Sequence, residues 1–99
     1  MTFTKRLRLH FHGRRALPGD VVVFNGYALL YTKPAVRAHI GGAPGGTSAL
    51  VIGINRHLDW VLVWIIGTHG AQVKWGWVRT EYTNVISSPR FAQVQDDDV

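Results

Sequence analysis

The chain has 99 residues, which is enough for one modest hydrophobic core and a single domain. Hydrophobic residues make up 46% of it and charged residues 17%, a composition that excludes generic disorder and favours an apolar surface covered by another molecule. The absence of cysteine excludes disulfides and thiolate metal sites. The net charge of +5 favours an acidic partner, such as nucleic acid or an acidic protein surface.

Membrane insertion and secretion are not indicated by the sequence. No apolar run approaches the roughly 18 to 20 residues that cross a bilayer. Residues 1–12 lack the apolar segment and small-residue cleavage site of a signal peptide. We therefore expect a cytoplasmic or virion-associated protein.

Much of the positive charge lies in an amino-terminal arm, residues 1–16, which contains no acidic residue. The basic residues of this arm are Lys5, Arg6, Arg8, Arg14 and Arg15. Apolar and basic residues alternate between Leu7 and Phe11, which is typical of an edge strand or an extended arm. We expect the arm to contact an anion: nucleic acid, an acidic protein groove, or the acidic tail of another copy. That tail, residues 88–99, contains Asp96, Asp97 and Asp98.

Residues 17–87 predict a five-stranded β-barrel, since short runs of β-branched and aromatic residues alternate with turn signals. A turn at Pro18 and Gly19 leads to the first strand, Val21–Phe24. A long loop follows at residues 27–48. The later strands are predicted at residues 49–54, 60–66, 71–78 and 84–87, and one helical turn at residues 80–83 would place the last strand beside the first.

The long loop offers two further expectations. Residues 27–31 and 36–40 could pair as a short hairpin. Residues 41–46 are rich in glycine, but they lack the Gly-Lys-Ser/Thr ending and the following helix of a phosphate-binding loop, so we interpret them as a flexible loop.

The third predicted strand is apolar on both faces. Trp60, Leu62, Trp64 and Ile66 share one face, and Val61, Val63 and Ile65 share the other. Because one face of a barrel strand points inward, the other needs a cover: the long loop, the arm or a second molecule.

The next strand raises a related choice. Val73, Trp75 and Trp77 alternate as a core-facing strand would, and we favour a core or interface role for the two tryptophans. The competing interpretation is that exposed tryptophans near Lys74 stack on single-stranded nucleic acid.

The order of these elements resembles that of SH3-like barrels. The resemblance covers residues 17–87 and includes a Pro-Gly-Asp opening, a long second connection, three consecutive antiparallel strands, a one-turn helix and a short closing strand. Trp60 and Tyr82 match SH3 positions, but Arg79 replaces a proline and the long loop has no acidic residue. These departures remove parts with which SH3 domains recognise Pro-rich peptides. The resemblance therefore implies the fold and not that ligand.

The strand sequences are also similar to small barrel proteins of tailed phages, in which the implied role is a structural or accessory component of the particle. A remote alternative, a site formed where several barrels meet, is illustrated by a plasmid-borne dihydrofolate reductase with an SH3-like barrel, but no matching motif is present.

Catalytic chemistry finds little support. His10 and His12 share a strand face but lack a nearby third metal ligand. Ser48, His57 and Asp59 could form a triad only as neighbours around a turn, without a strained nucleophile turn. We therefore expect no enzyme activity, metal, cofactor or small-molecule substrate.

The sequence thus predicts a non-catalytic module that associates with itself or with other proteins of an assembly. The alternative is a sequence-tolerant nucleic-acid-binding barrel. The expected interface residues are Trp60, Trp64, Trp75, Trp77 and Tyr82.

Overall fold

The computed structural model describes residues 15–67 and 70–88, which form an all-β domain with a single 3₁₀ turn. The strands are β1 (Val21–Phe24), β2 (Ala28–Leu30), β3 (Gly41–Ala43), β4 (Ser48–Ile54), β5 (Trp60–Gly67), β6 (Trp75–Arg79) and β7 (Thr83–Ser87), and the 3₁₀ turn is Thr80–Tyr82. The all-β prediction is confirmed.

Five strands form an antiparallel sheet in the order β6-β5-β4-β1-β7. The predicted neighbourhood of the first and last strands is confirmed, since Val22 of β1 pairs with Val85 of β7. Among the described residues, the edge strands β6 and β7 are not hydrogen-bonded to each other, so the sheet is open. Closure into a barrel stays a prediction.

The opening turn fixes the position of β1. The backbone N–H of Gly19 donates to Val51, and Gly19 has a φ of 95°, which a glycine adopts at little cost. The buried carboxylate of Asp20 accepts a hydrogen bond from the Leu17 N–H at 2.9 Å. The turn predicted at these residues is therefore confirmed.

The predicted hairpin of the long loop has the wrong partner. β2 pairs with β3, at Gly41–Ala43, and of residues 36–40 only Ile40 bonds to β2, through its N–H to the Leu30 carbonyl at 2.8 Å. The three residues of β3 are all buried, so the interpretation of this stretch as a flexible loop is also wrong. The Tyr27 ring lies so close to Gly42 that a side chain at that position would overlap it. Glycine fits at this position of β3 because it has no Cβ.

The predicted strand at residues 71–78 is shorter than expected, and its alternation is interrupted. β6 begins only at Trp75, after a bend at Lys74. Val73 therefore packs against the core while Trp75 is exposed. The core-facing interpretation of Trp75 and Trp77 is wrong, because Gly76 and Val78 occupy the buried positions of β6.

The core lies on one face of the sheet and consists mainly of small β-branched side chains. Its larger fully buried members are Val22, Phe24, Leu30, Val51, Val61, Val63 and Val78. β5 supplies its valines to this face and turns Trp64 and Ile66 away from it. The prediction that both faces of this strand are apolar is confirmed, and the valine face points inward.

We predict that Gly76→Ala lowers the free energy of unfolding by about 1–3 kcal/mol, as overpacking of a filled core does. A Cβ at position 76 would lie 2.7 Å from the Cβ of Leu30. Urea unfolding followed by circular dichroism measures the change.

Gly26→Ala is the matched control, since a Cβ at Gly26 would meet nothing within 4 Å. Equal stability of the two variants would contradict the close packing of β2 on β6.

Candidate interaction face

The aromatic face is the surface of the sheet opposite the core. It contains every tryptophan and tyrosine of the chain: Tyr27, Tyr31, Trp60, Trp64, Trp75, Trp77 and Tyr82. Cross-strand partners project to the same side of a sheet, and Trp64 pairs with Trp75 across β5 and β6. Tyr31 is joined to Trp77 by two backbone hydrogen bonds of 2.9 and 2.7 Å, so β2 extends this face past the edge of β6.

One half of the face is the tryptophan patch, which consists of Ile52, Trp64, Ile66 and Trp75. Trp64 is 47% exposed and Trp75 is 42% exposed, although the two residues are direct cross-strand partners on β5 and β6. If a whole tryptophan offers roughly 250 Å², this pair alone exposes roughly 200 Å². The two isoleucines, each about half exposed, enlarge the patch. An exposed apolar patch of a few hundred Å² is often functional.

Trp60 lies at the other end of β5 and is largely buried. The Tyr31 ring packs edge-on against it, with centroids 5.3 Å apart, and the Arg79 guanidinium lies 5.4 Å from its ring centre. Asn55 orders the turn before it, because its side-chain oxygen accepts hydrogen bonds from the N–H groups of Asp59 and Trp60. Of the predicted interface residues, Trp60 is therefore the one already covered by its own chain.

Next to Trp60 lies the tyrosine groove, a surface groove of about 330 Å³ lined by Tyr27, Leu29, Tyr31, Arg79 and Tyr82. The β2 side of the groove arises from simple alternation, since Ala28 and Leu30 are fully buried and their neighbours face outward. The sequence prediction included Tyr82 but missed Tyr27 and Tyr31, which flank β2. The even spacing of these two tyrosines, which places them on one face of a strand, was the available signal. It was missed because the segment was interpreted as part of a long loop.

Five basic side chains are carried by segments that border the aromatic face. Basic side chains come from Lys33 and Arg37 in the β2–β3 loop, Arg56 in the β4–β5 turn, Arg15, and Arg79 at the end of β6. Arg15 donates a hydrogen bond to the backbone of Leu58 in that turn, and His39 of the loop lies 6.3 Å from the Tyr31 ring. We refer to these five basic residues as the basic rim.

The acidic residues near the rim are already engaged. Glu81 pairs with the Arg79 Nε at 2.8 Å, and this hydrogen bond raises the pKa of Arg79. Asp59 accepts a 2.7 Å hydrogen bond from the Asn55 side chain, which is the main reason that its pKa is lowered; the charges of His57 and Arg79 lower it further. The rim therefore presents an excess of positive charge to a ligand.

The remaining predicted contact residues can be placed only in part. Arg15 is exposed beside the basic rim, while Lys5, Arg6, Arg8 and Arg14 lie outside the described residues. His10 and His12 lie outside them as well. Across residues 15–67 and 70–88, no group of three or more His, Asp or Glu side chains could hold a metal ion.

No helix in the described part of the chain is long and apolar enough to cross a membrane. Comparison of the chain with protein-family models, curated proteins and solved structures finds no match. The interpretation of the site therefore rests on its geometry.

We predict that Asp59 contributes to the acid sensitivity of stability. Because its pKa is lowered in the folded state, its contribution is present above the ordinary carboxyl pKa and is lost as pH falls through the lowered value. Asp59→Asn cannot titrate, so its Tm should fall less than that of the wild type between pH 6 and pH 3. Parallel Tm curves for the two proteins would refute the predicted role of Asp59.

Proposed function

We propose that this protein is a non-catalytic association module built on an SH3-like barrel. The SH3-like assignment is supported by the order β6-β5-β4-β1-β7, by three consecutive antiparallel strands, and by a 3₁₀ turn that leads into a last strand beside the first. The function is carried by one observation: Trp64 and Trp75 stand side by side in solvent on a sheet face without charged residues between them.

The first partner that we propose for the tryptophan patch is a second copy of the chain. A patch of two tryptophans and two isoleucines is apolar in the way that homodimer interfaces are. A standard interface buries about 800 Å² on each partner, so neighbouring half-buried side chains such as Leu50, Leu62 and Trp77 would have to take part. They surround the patch on β4, β5 and β6.

We propose that this contact contributes to the assembly of a larger particle. The similarity of the strand sequences to small tailed-phage barrels supports a structural or accessory role in such a particle. Patch-to-patch self-association gives a twofold dimer, which can serve as a building unit of such a particle when a second contact joins the dimers.

We predict that Trp64→Ala together with Trp75→Ala weakens self-association at least tenfold. Aromatic anchors at the centre of an interface contribute a large share of its binding energy, and alanine removes their contact area. Sedimentation velocity over a range of protein concentrations measures the dissociation constant.

Ile86→Ala is the matched control, since Ile86 is 53% exposed but belongs to β7, at the other edge of the sheet. A wild-type protein that stays monomeric at high concentration and joins no larger particle would overturn the proposal. An equal effect of the control would show that the contact lies elsewhere.

The exposure of the same tryptophans favours a second candidate function, binding of single-stranded nucleic acid. Exposed aromatic rings stack on bases, and the basic rim would contact phosphates. This function predicts binding to an oligothymidine whose affinity falls linearly, on logarithmic axes, as salt is raised. It also predicts that the double tryptophan variant binds at least tenfold more weakly. Absence of binding at low salt would rule it out.

A further inference from the structure

The tyrosine groove combines apolar walls with unused hydrogen-bond donors. Among the described residues, the hydroxyls of Tyr27, Tyr31 and Tyr82 donate no hydrogen bond, and Arg79 uses only its Nε toward Glu81. A phenolic hydroxyl and a guanidinium can both donate to a carboxylate, and charge-assisted bonds of this kind are the stronger ones. The site therefore suits a segment that carries apolar and acidic side chains together.

The charge distribution of the domain supports the same ligand. The basic rim contributes five positive charges, against two from Asp59 and Glu81. The other charged residues in the described part of the chain are Lys74, just before β6, and the buried Asp20, and their charges cancel. The net positive charge of the described residues is thus carried by Arg79 in the groove, by Arg15 and Arg56 at the β4–β5 turn, and by Lys33 and Arg37 in the loop that follows Tyr31.

A segment with matching chemistry exists in the same sequence. Residues 89–99 contain Phe91 and Val94 followed by Asp96, Asp97 and Asp98. We propose that this acidic segment of one copy docks in the tyrosine groove of a second copy, with its carboxylates toward the basic rim. This contact would be separate from the tryptophan patch, and it deepens the proposed self-association without using the same surface.

The direction of β7 takes the last described residues away from the groove. Tyr82, at the groove, immediately precedes β7, whereas Ser87 pairs with Val21 at the far end of the strand. Five residues of strand span about 17 Å, so the chain leaves the described domain well away from its own groove. A head-to-tail contact, in which the segment of one copy reaches the groove of the next, is compatible with this direction of β7.

The geometry of the groove favours a peptide over nucleic acid at this site. Trp60 offers no open face for stacking, because the Arg79 guanidinium lies over its ring and Tyr31 packs against its edge, so stacking at the groove would depend on the smaller rings of Tyr27 and Tyr82. The apolar side chain of Leu29 forms part of the groove wall instead. An oligothymidine that displaced the peptide described below would overturn this preference.

The direct test uses a tail variant, Asp96→Asn, Asp97→Asn and Asp98→Asn in the full chain, whose groove is intact. A fluorescent peptide with the sequence of residues 88–99 is titrated into it, and anisotropy measures binding. We expect saturable binding that weakens at least tenfold between low salt and 0.5 M salt, because exposed charges are screened. The same peptide with three asparagines should bind at least tenfold more weakly, and equal binding of the two peptides would overturn the proposal.

A groove variant, Tyr27→Ser with Lys33→Glu, identifies the docking surface. Its matched control is Ile86→Ser with Lys74→Glu, which makes the same changes at exposed positions away from the groove. Each is combined with the tail variant, and circular dichroism verifies the fold. We expect the groove variant to lose at least tenfold in peptide affinity and the control to keep it. Undiminished binding to the groove variant would place the acidic segment elsewhere, for example on the basic arm.

Mixing distinguishes docking between copies from docking within one. The groove variant with a natural tail cannot form this contact with itself, and neither can the tail variant with a natural groove. When the two variants are mixed, they should form a one-to-one complex. Failure to form that complex, with peptide binding intact, would assign the docking to a single copy and overturn the inference. Because the peptide assay does not depend on the tryptophan patch, it can succeed when the patch proposal fails, and the reverse.

Discussion

The structure depends on one constraint: a five-stranded sheet of this size leaves little volume for side chains on its inner face. The inner face is filled by valines, alanines, Leu30 and a single aromatic ring, that of Phe24. Four tryptophans could not be added to such an interior without forcing the strands apart, because protein cores are already close-packed. The large rings are therefore placed on the opposite face, and the features that suggest association follow from that displacement.

The sequence predicts strand positions well where the apolar runs are uninterrupted, as at Val21–Phe24 and along β5. It leaves open which face of β5 points inward, because both faces are apolar and periodicity carries no information about volume. It also fails at β6, where a bend at Lys74 breaks the alternation between Val73 and Trp75. The participation of Gly41 and Gly42 in a strand could not be anticipated, since the close approach of the Tyr27 ring to Gly42 is a contact between residues distant in sequence.

The sequence predicts some of the residues of the candidate site but not how they are arranged in space. Trp64 and Trp75 could be selected from the sequence as interface residues, and the structure places them as neighbours on the same surface. The tyrosine groove could not be assembled, because its walls come from β2, from the end of β6 and from the 3₁₀ turn. The separation of an apolar half from a charged half emerges only when these distant segments are brought together by the sheet.

The position of the rings also decides what an optical experiment on this protein would report. Trp64, Trp75 and Trp77 all emit from the outer surface, while the aromatic residue of the interior, Phe24, contributes almost nothing at the same wavelengths. Apart from the signal of the buried Trp60, intrinsic emission therefore reports on the outer surface more than on the interior. Emission from the outer tryptophans reports instead on the binding of another molecule to the outer face of the sheet.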